Sequence, residues 1–223
     1  MPRELSAYHR RMAATNRATI LEAATELFLE LGFDRTSLAQ VAARAGVSKA
    51  TLFKQFPTKA ELFTAMVLRA GEAHGSESLQ APAGDFRSGL VVLGTAYVEL
   101  LSRPRMAELI RAVITESSRF PELREQTFDF GTLPVLRALR QFLEAANERG
   151  DAQVDDLDVA SAQFLGMIAT VVFWPRLVHG NWSLTDDETS RTVDEAARTI
   201  TARYGTSIRR PARGADRVNE RAR

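Results

Sequence analysis

Lysine placement is the first chemical signal in this chain. All three lysines, Lys49, Lys54 and Lys59, lie between Asp34 and Glu61, in a run of 26 residues without an acidic side chain. A short segment that lacks negative charge and carries positive charge suits a surface that faces a polyanion. A solvated basic face is the alternative, and charge alone does not decide between the two.

Turn and cap residues give this basic segment a local geometry. Ser37 begins a capping-box pattern, Gly46 ends the short helix that follows, and Ser48 caps a second helix. Leu52 and Phe56 of the second helix are four residues apart, so both point inward. Two short helices joined by a tight turn form the helix-turn-helix plan, whose second helix lies in the DNA major groove.

The second helix supplies most of the predicted DNA contacts. Its N-terminal residues are small or slim, which lets the backbone approach base edges, and hydroxyls and the Lys59 amine suit phosphates. For Phe53, packing against the first helix stays open beside contact with a backbone sugar. The predicted DNA-binding residues are Ser37, Ser48, Lys49, Ala50, Thr51, Phe53, Lys54, Gln55 and Lys59.

Residues 17–67 resemble the DNA-binding domain of the TetR family of transcriptional regulators. The resemblance is carried by Ile20-Leu21-Glu22-Ala23-Ala24, Leu27-Phe28, Gly32-Phe33, Thr36-Ser37-Leu38-Ala39-Gln40-Val41-Ala42, Ala45-Gly46-Val47-Ser48-Lys49-Ala50-Thr51-Leu52-Phe53 and Phe56-Pro57-Thr58-Lys59-Ala60-Glu61-Leu62-Phe63. It implies an all-helical homodimer whose C-terminal domain holds a small-molecule pocket. The family often has a tyrosine at position 53 and aromatic or histidine side chains at 54 and 55. Phe53, Lys54 and Gln55 depart from that pattern, so the operator sequence stays open.

The rest of the chain shows helical periodicity almost throughout, which predicts an all-α fold. Thr15 or Asn16 is the expected N-cap of the first helix. We expect a basic N-terminal arm over 1–14, a three-helix helix-turn-helix domain over 15–60, and a larger helical ligand-binding and dimerisation domain over 61–204. An Arg-rich, disordered tail is expected over 205–223. Residues 1–60 hold 9 Lys+Arg against 5 Asp+Glu and residues 61–202 hold 13 against 21, which supports the division.

Ligand contacts are predicted only by analogy with the family. The run 116–123 resembles a C-terminal domain of one TetR branch, and the pocket would be lined by helices over 86–101, 105–117, 124–148 and 156–178. Ordinary core packing is the alternative for every candidate, and the few charges on these faces favour an apolar or aromatic ligand. The candidates are Phe86, Leu90, Tyr97, Met106, Ile110, Phe128, Leu136 and Phe164.

A dimer interface is predicted from an unusually apolar helix over 155–178 and an amphipathic helix over 186–204. Two copies of this pair would form a four-helix contact and would place two recognition helices on a near-palindromic operator. A central helix within a monomer is the alternative. The predicted interface residues are Met167, Val171, Trp174, Val193, Ala197 and Ile200.

Other functional classes find little support in the residues. The chain has no cysteine, its three histidines are far apart, and it contains neither a glycine-rich phosphate loop nor a nucleophile-elbow pattern. We therefore expect no metal, no cofactor, no catalysis and no membrane contact, in a cytoplasmic protein. The leading hypothesis is a homodimeric repressor that a small ligand releases from double-stranded DNA. A constitutive DNA-binding regulator and a helical enzyme or sensor are the alternatives. The terminal arginines, including Arg10 and Arg11, are candidates for DNA arms or solvated tails.

Overall fold

The computed structural model describes residues 7–71, 85–116, 118 and 134–206, which are almost entirely helical. The only extended pairing in these ranges is one antiparallel bridge, Ala152 to Gly205, so the all-α prediction is confirmed. The helices are α1 Ala7–Leu31, α2 Leu38–Arg44, α3 Lys49–Gln55, α4 Lys59–Gly71, α5 Phe86–Leu101, α6 Met106–Glu116, α7 Pro134–Arg149, α8 Leu157–Val172, α9 Trp174–Val178 and α10 Asp186–Tyr204.

Helix α1 begins at Ala7, so the expected N-cap at Thr15 or Asn16 is wrong, and residues 7–14 continue the helix. The apolar helix expected over 155–178 is two helices, because the chain turns at Phe173 and α9 begins at Trp174, with Pro175 in its first turn. Helix α10 matches its expected bounds. Within the expected tail, Gly205 and Thr206 pair with the turn at 150–152, while 207–223 lie outside the described residues.

The first hydrophobic core joins α1, α2, α3 and α4. Phe28, Phe33 and Phe63 meet at its centre, with ring centroids 5.2 to 5.6 Å apart. Leu109 and Val113 of α6 belong to the same core, so α6 holds the N-terminal unit against the rest of the molecule. The core extends to Met66, past the domain boundary expected at 60.

The second core is formed by α5, α7, α8 and α10, with Met106 of α6 at its edge. Helix α5 approaches α8 and α10 closely at Gly94, where an added Cβ would lie 2.8 Å from Val193 Cγ1 and 3.0 Å from Phe164 Cζ. The Phe86 and Phe142 rings stack with centroids 5.7 Å apart. This close packing joins α5, α7, α8 and α10 in one core.

Candidate nucleic-acid interface

Helix α2 and the turn that follows it are fixed by local hydrogen bonds. The Ser37 hydroxyl accepts from Gln40 N, and the Gln40 side chain accepts from Ser37 N, which completes the predicted capping box. After α2, Val47 N donates to Ala42 O and Gly46 N donates to Ala43 O, the pattern of a Schellman turn. Gly46 has φ +65°, a backbone conformation that favours glycine.

Helix α3 is capped and anchored as the sequence predicts. The Ser48 hydroxyl accepts from Thr51 N at 3.1 Å, and the Ser48 and Thr51 hydroxyls lie 2.8 Å apart. Leu52 and Phe56 are both buried. The Arg17 guanidinium of α1 lies 4.6 Å from the Phe56 ring centroid, so α1 also covers the C-terminal end of α3.

The outward face of α3 is open to solvent. Lys49, Ala50 and Lys54 are exposed, and Gln55 is half-buried. Phe53 is 47% exposed, so its ring is not buried against α1. This face carries two ammonium groups and one apolar ring with no acid in its own segment, which suits phosphates and base edges together. The individual DNA contacts of all nine predicted residues remain predictions.

Lys59 has a structural task that its sequence position did not reveal. Its amine donates to Phe33 O at 2.7 Å and to Asp34 O at 3.1 Å. It also lies 4.5 Å from the Phe33 ring centroid. Lys59 therefore joins the start of α4 to the turn between α1 and α2, and a phosphate would have to share an amine that already has two acceptors.

The same turn depends on Thr36, a residue that the sequence did not single out. Thr36 is buried, and its hydroxyl lies 3.1 Å from Leu27 O and 2.8 Å from Gly32 O, both at the end of α1. Thr36 belongs to the run 36–42 that resembles the TetR family, but its position alone does not indicate this role. Arg44 is also engaged inside the module, with Nη1 2.9 Å from Glu26 Oε2. The cationic side chains of the outward face are thus Lys49 and Lys54.

The predicted ligand residues within the described ranges belong to the second core. Phe86, Leu90, Tyr97, Met106 and Phe164 are buried, and Ile110 and Leu136 are partly buried against the same cluster, while Phe128 lies outside the described residues. Burial raises the pKa of the Tyr97 hydroxyl. The buried Ser161 Oγ, which the sequence analysis missed, has no hydrogen-bond partner in the described structure.

Three of the six predicted dimer residues lie in the core of their own chain. Val193, Ala197 and Ile200 are buried in the molecule's own second core, where α10 packs on α5 and α8, so a partner cannot reach them. The amphipathic stripe of α10 therefore faces inward. Val171 and Trp174 are exposed, Trp174 by 55%, and Met167 is partly buried.

A capped, exposed basic helix on a three-helix core defines a helix-turn-helix DNA-binding protein. Residues 20–66 match the family described as bacterial regulatory proteins, tetR family, and residues 88–206 match the AefR-like transcriptional repressor C-terminal domain. The chain belongs to the TetR family of transcriptional regulators, and it is a DNA-binding transcriptional repressor of that family.

Three similar proteins illustrate the match. The HTH-type transcriptional repressor BepR of Brucella suis is 26% identical over 69% of this chain and 76% of its own length. A TetR-family regulator from Mesorhizobium loti superposes with a TM-score of 0.72 at 25% identity, over 87% of this chain and 98% of its own. The flavonoid-responsive regulator FrrA superposes with a TM-score of 0.67 at 28% identity, over 85% of this chain and 97% of its own. Among the described residues, no helix is long and apolar enough to cross a membrane.

Proposed function

We propose that this repressor is a homodimer that binds a near-palindromic operator through α3 and is released by a small apolar or aromatic ligand. The observation that carries the proposal is the outward face of α3, where Lys49, Phe53 and Lys54 are exposed while Leu52 and Phe56 fix the helix from behind. In this proposal, the unit formed by α1 to α4 binds DNA, and the unit formed by α5 to α10 binds the ligand and the partner.

The outer face of α8 supports the homodimer. Residues 159–174 contain no charged side chain, although Val159, Gly166, Val171 and Trp174 are all exposed. A Cβ built on Gly166 would meet no atom within 4 Å, so the surface there is open. An uncharged face with a small residue at its centre allows a second helix to approach closely. Two copies joined in this way would present two α3 helices to two operator half-sites.

The C-terminal core supports an apolar or aromatic ligand. Its predicted ligand residues carry apolar and aromatic side chains, while Tyr97 and Ser161 supply hydroxyls, and Ser161 Oγ is buried without a partner in the described structure. Such a lining suits an aromatic molecule with a few polar groups. FrrA, which shares this fold, is named as flavonoid-responsive. Release requires only that the ligand binds the DNA-incompetent state more tightly than the DNA-bound state.

A constitutive repressor without a small-molecule inducer is the second candidate. It is favoured by the burial of Leu90 and Phe164, which are fully packed within the second core. Two cavities of the described structure lie instead beside α6, and neither is lined by any predicted ligand residue.

One titration separates these proposals. The protein is added to its own upstream intergenic DNA in rising salt, and planar aromatic compounds, including flavonoids, are then added to the complex. We expect specific retention of a near-palindrome and its loss with at least one compound. DNA that stays bound with every compound supports the constitutive repressor, and the absence of specific retention contradicts the proposed operator binding.

A further inference from the structure

A small cavity lies between the turn that joins α5 to α6, α6 itself and α9, and Ala107 of its lining also packs against the edge of the second core. Its volume is about 80 Å³, and it is lined by Arg103, Arg105, Ala107, Glu108, Arg111, Arg176 and Gly180. A single water needs ~10–15 Å³ of such space, so the cavity has room for a small polyatomic anion. Four guanidinium groups around one small cavity are unusual, because like charges repel when they are brought together.

The arginines are held by backbone carbonyls at helix ends. Arg103 Nη1 donates to Ala70 O at the end of α4, and Arg176 Nη1 donates to Leu101 O at the end of α5. Arg111 Nη1 lies within donating distance of the Arg176 and Leu177 carbonyls in α9. Within the described structure, the hydrogen bonds of Arg111 and Arg176 use only Nη1, so Nε and Nη2 of both side chains can serve another acceptor.

Among the described residues, arginines outnumber acids around the cavity. Glu108 is the single acid among the described residues of the lining. Glu22 of α1 lies 3.9 Å from Arg105 Nη1, and both side chains of that loose pair are exposed. Burial lowers the pKa of Arg103, an effect that the charge of Glu99 opposes. In the described part of the chain, four arginines thus lie near three acids, of which Glu108 lines the cavity.

Arg105 occupies an uncommon backbone conformation at the entrance to α6. Its φ is +64°, the only positive value among the described residues other than glycine. This left-handed conformation is unfavourable for a residue that has a Cβ atom. It places Arg105 both in the lining of the cavity and beside Glu22 of the DNA-binding module. Uncommon conformations of this kind concentrate at ligand-binding and switch positions.

We propose that this cavity is a binding site for a small anionic group, a phosphate or a carboxylate, held by Arg105, Arg111 and Arg176. The described residues of its lining include none of the predicted ligand residues, which distinguishes it from the predicted effector pocket. A bound anion would compete with Glu22 for Arg105, so occupancy would weaken a contact between α6 and α1.

Thermal unfolding at constant ionic strength and protein concentration tests the site, with chloride replaced stepwise by inorganic phosphate or by acetate. For the wild type we expect the Tm to rise by about 4 °C when the anion reaches tenfold its Kd. The variants R105Q and R176Q should each lose most of this anion-dependent rise. The variant R198Q removes the same charge from an exposed site on α10 and should retain it.

The variant E22Q provides a test in the opposite direction. It removes the competing carboxylate without touching the cavity lining, so we expect the anion to bind two- to threefold more tightly. A rise with phosphate alone or with acetate alone identifies the group and supports the site. An equal rise in Tm in all variants would indicate a general salt effect and overturn the proposal. The absence of any anion-dependent rise in Tm in both the wild type and E22Q would also overturn it.

Discussion

Replacing Lys59 with methionine separates its structural task from DNA contact. The amine of Lys59 bonds two carbonyls of the turn between α1 and α2 and lies over the Phe33 ring. Methionine keeps most of the apolar stem but removes the charge and all three donors. The K59M variant should therefore be less stable than the wild type in the absence of DNA.

The magnitude follows from the contacts that are lost. Hydrogen bonds that involve a charged group contribute about 1.5–3 kcal/mol, and an exposed cation–π contact contributes about 0.5–1 kcal/mol. Lys59 is only partly buried, so water can bond the two carbonyls once the amine is gone, and the loss should be smaller than the sum of these contributions. We expect a loss of about 2 kcal/mol, which corresponds to a fall in Tm of about 6 °C for a chain of this size.

The assay is thermal unfolding followed by circular dichroism at 222 nm, with K49M as the matched control. Lys49 is exposed on α3, so K49M should change the free energy of unfolding by less than ~0.5 kcal/mol. On DNA, K49M should reduce the salt dependence of binding by about one phosphate contact. A K59M protein as stable as the wild type would refute the structural role assigned to Lys59.

Three further substitutions test the packing, the interface and a helix cap. G94A places a methyl group 2.8 Å from Val193 Cγ1, and overpacking of this kind lowers the free energy of unfolding by about 1–3 kcal/mol. The helix preference of alanine offsets part of this loss, and we expect a lower urea midpoint than for the wild type. G166R should yield monomers in analytical ultracentrifugation with unchanged helix content, because position 166 is exposed and an added Cβ there meets no atom of its own chain within 4 Å, while the arginine side chain would fill the proposed interface. A G166R dimer would contradict that interface. D85A removes the N-cap of α5 and should lower the free energy of unfolding by about 1 kcal/mol at pH 7. The hydrogen bond from the Ser88 hydroxyl is the main cause that lowers the pKa of Asp85. The difference in free energy of unfolding between D85A and the wild type should therefore have its full value above pH 3.8 and disappear as the pH falls through the lowered pKa. A difference that persists in acid would contradict this origin.

The helix-turn-helix could be predicted closely because its signals are local. Ser37, Gly46 and Ser48 act on neighbours within about four residues, and each does in the structure what its position indicates. The start of α1 could not be placed in this way, because a cap residue such as Thr15 is also tolerated inside a helix.

Long-range contacts account for the remaining differences. The carbonyl of Phe33 is 26 residues from Lys59, and no local pattern connects the two. Val193 and Ile200 lie on an apolar stripe, but periodicity does not say whether such a stripe meets its own core or a partner. The arginine-lined cavity joins the turn between α5 and α6, and α6 itself, to α9, which lies 65 positions beyond Arg111 at Arg176.

Fluorescence anisotropy with a labelled duplex from the upstream DNA tests the central claim most directly. The wild type should bind one near-palindromic duplex at least ~10³-fold more tightly than a scrambled duplex of equal length. The K49E/K54E variant should lose this binding while its circular dichroism spectrum and Tm stay close to those of the wild type. Equal binding by the variant, or a wild type that does not distinguish the two duplexes, would contradict the assignment of α3 as the reading helix.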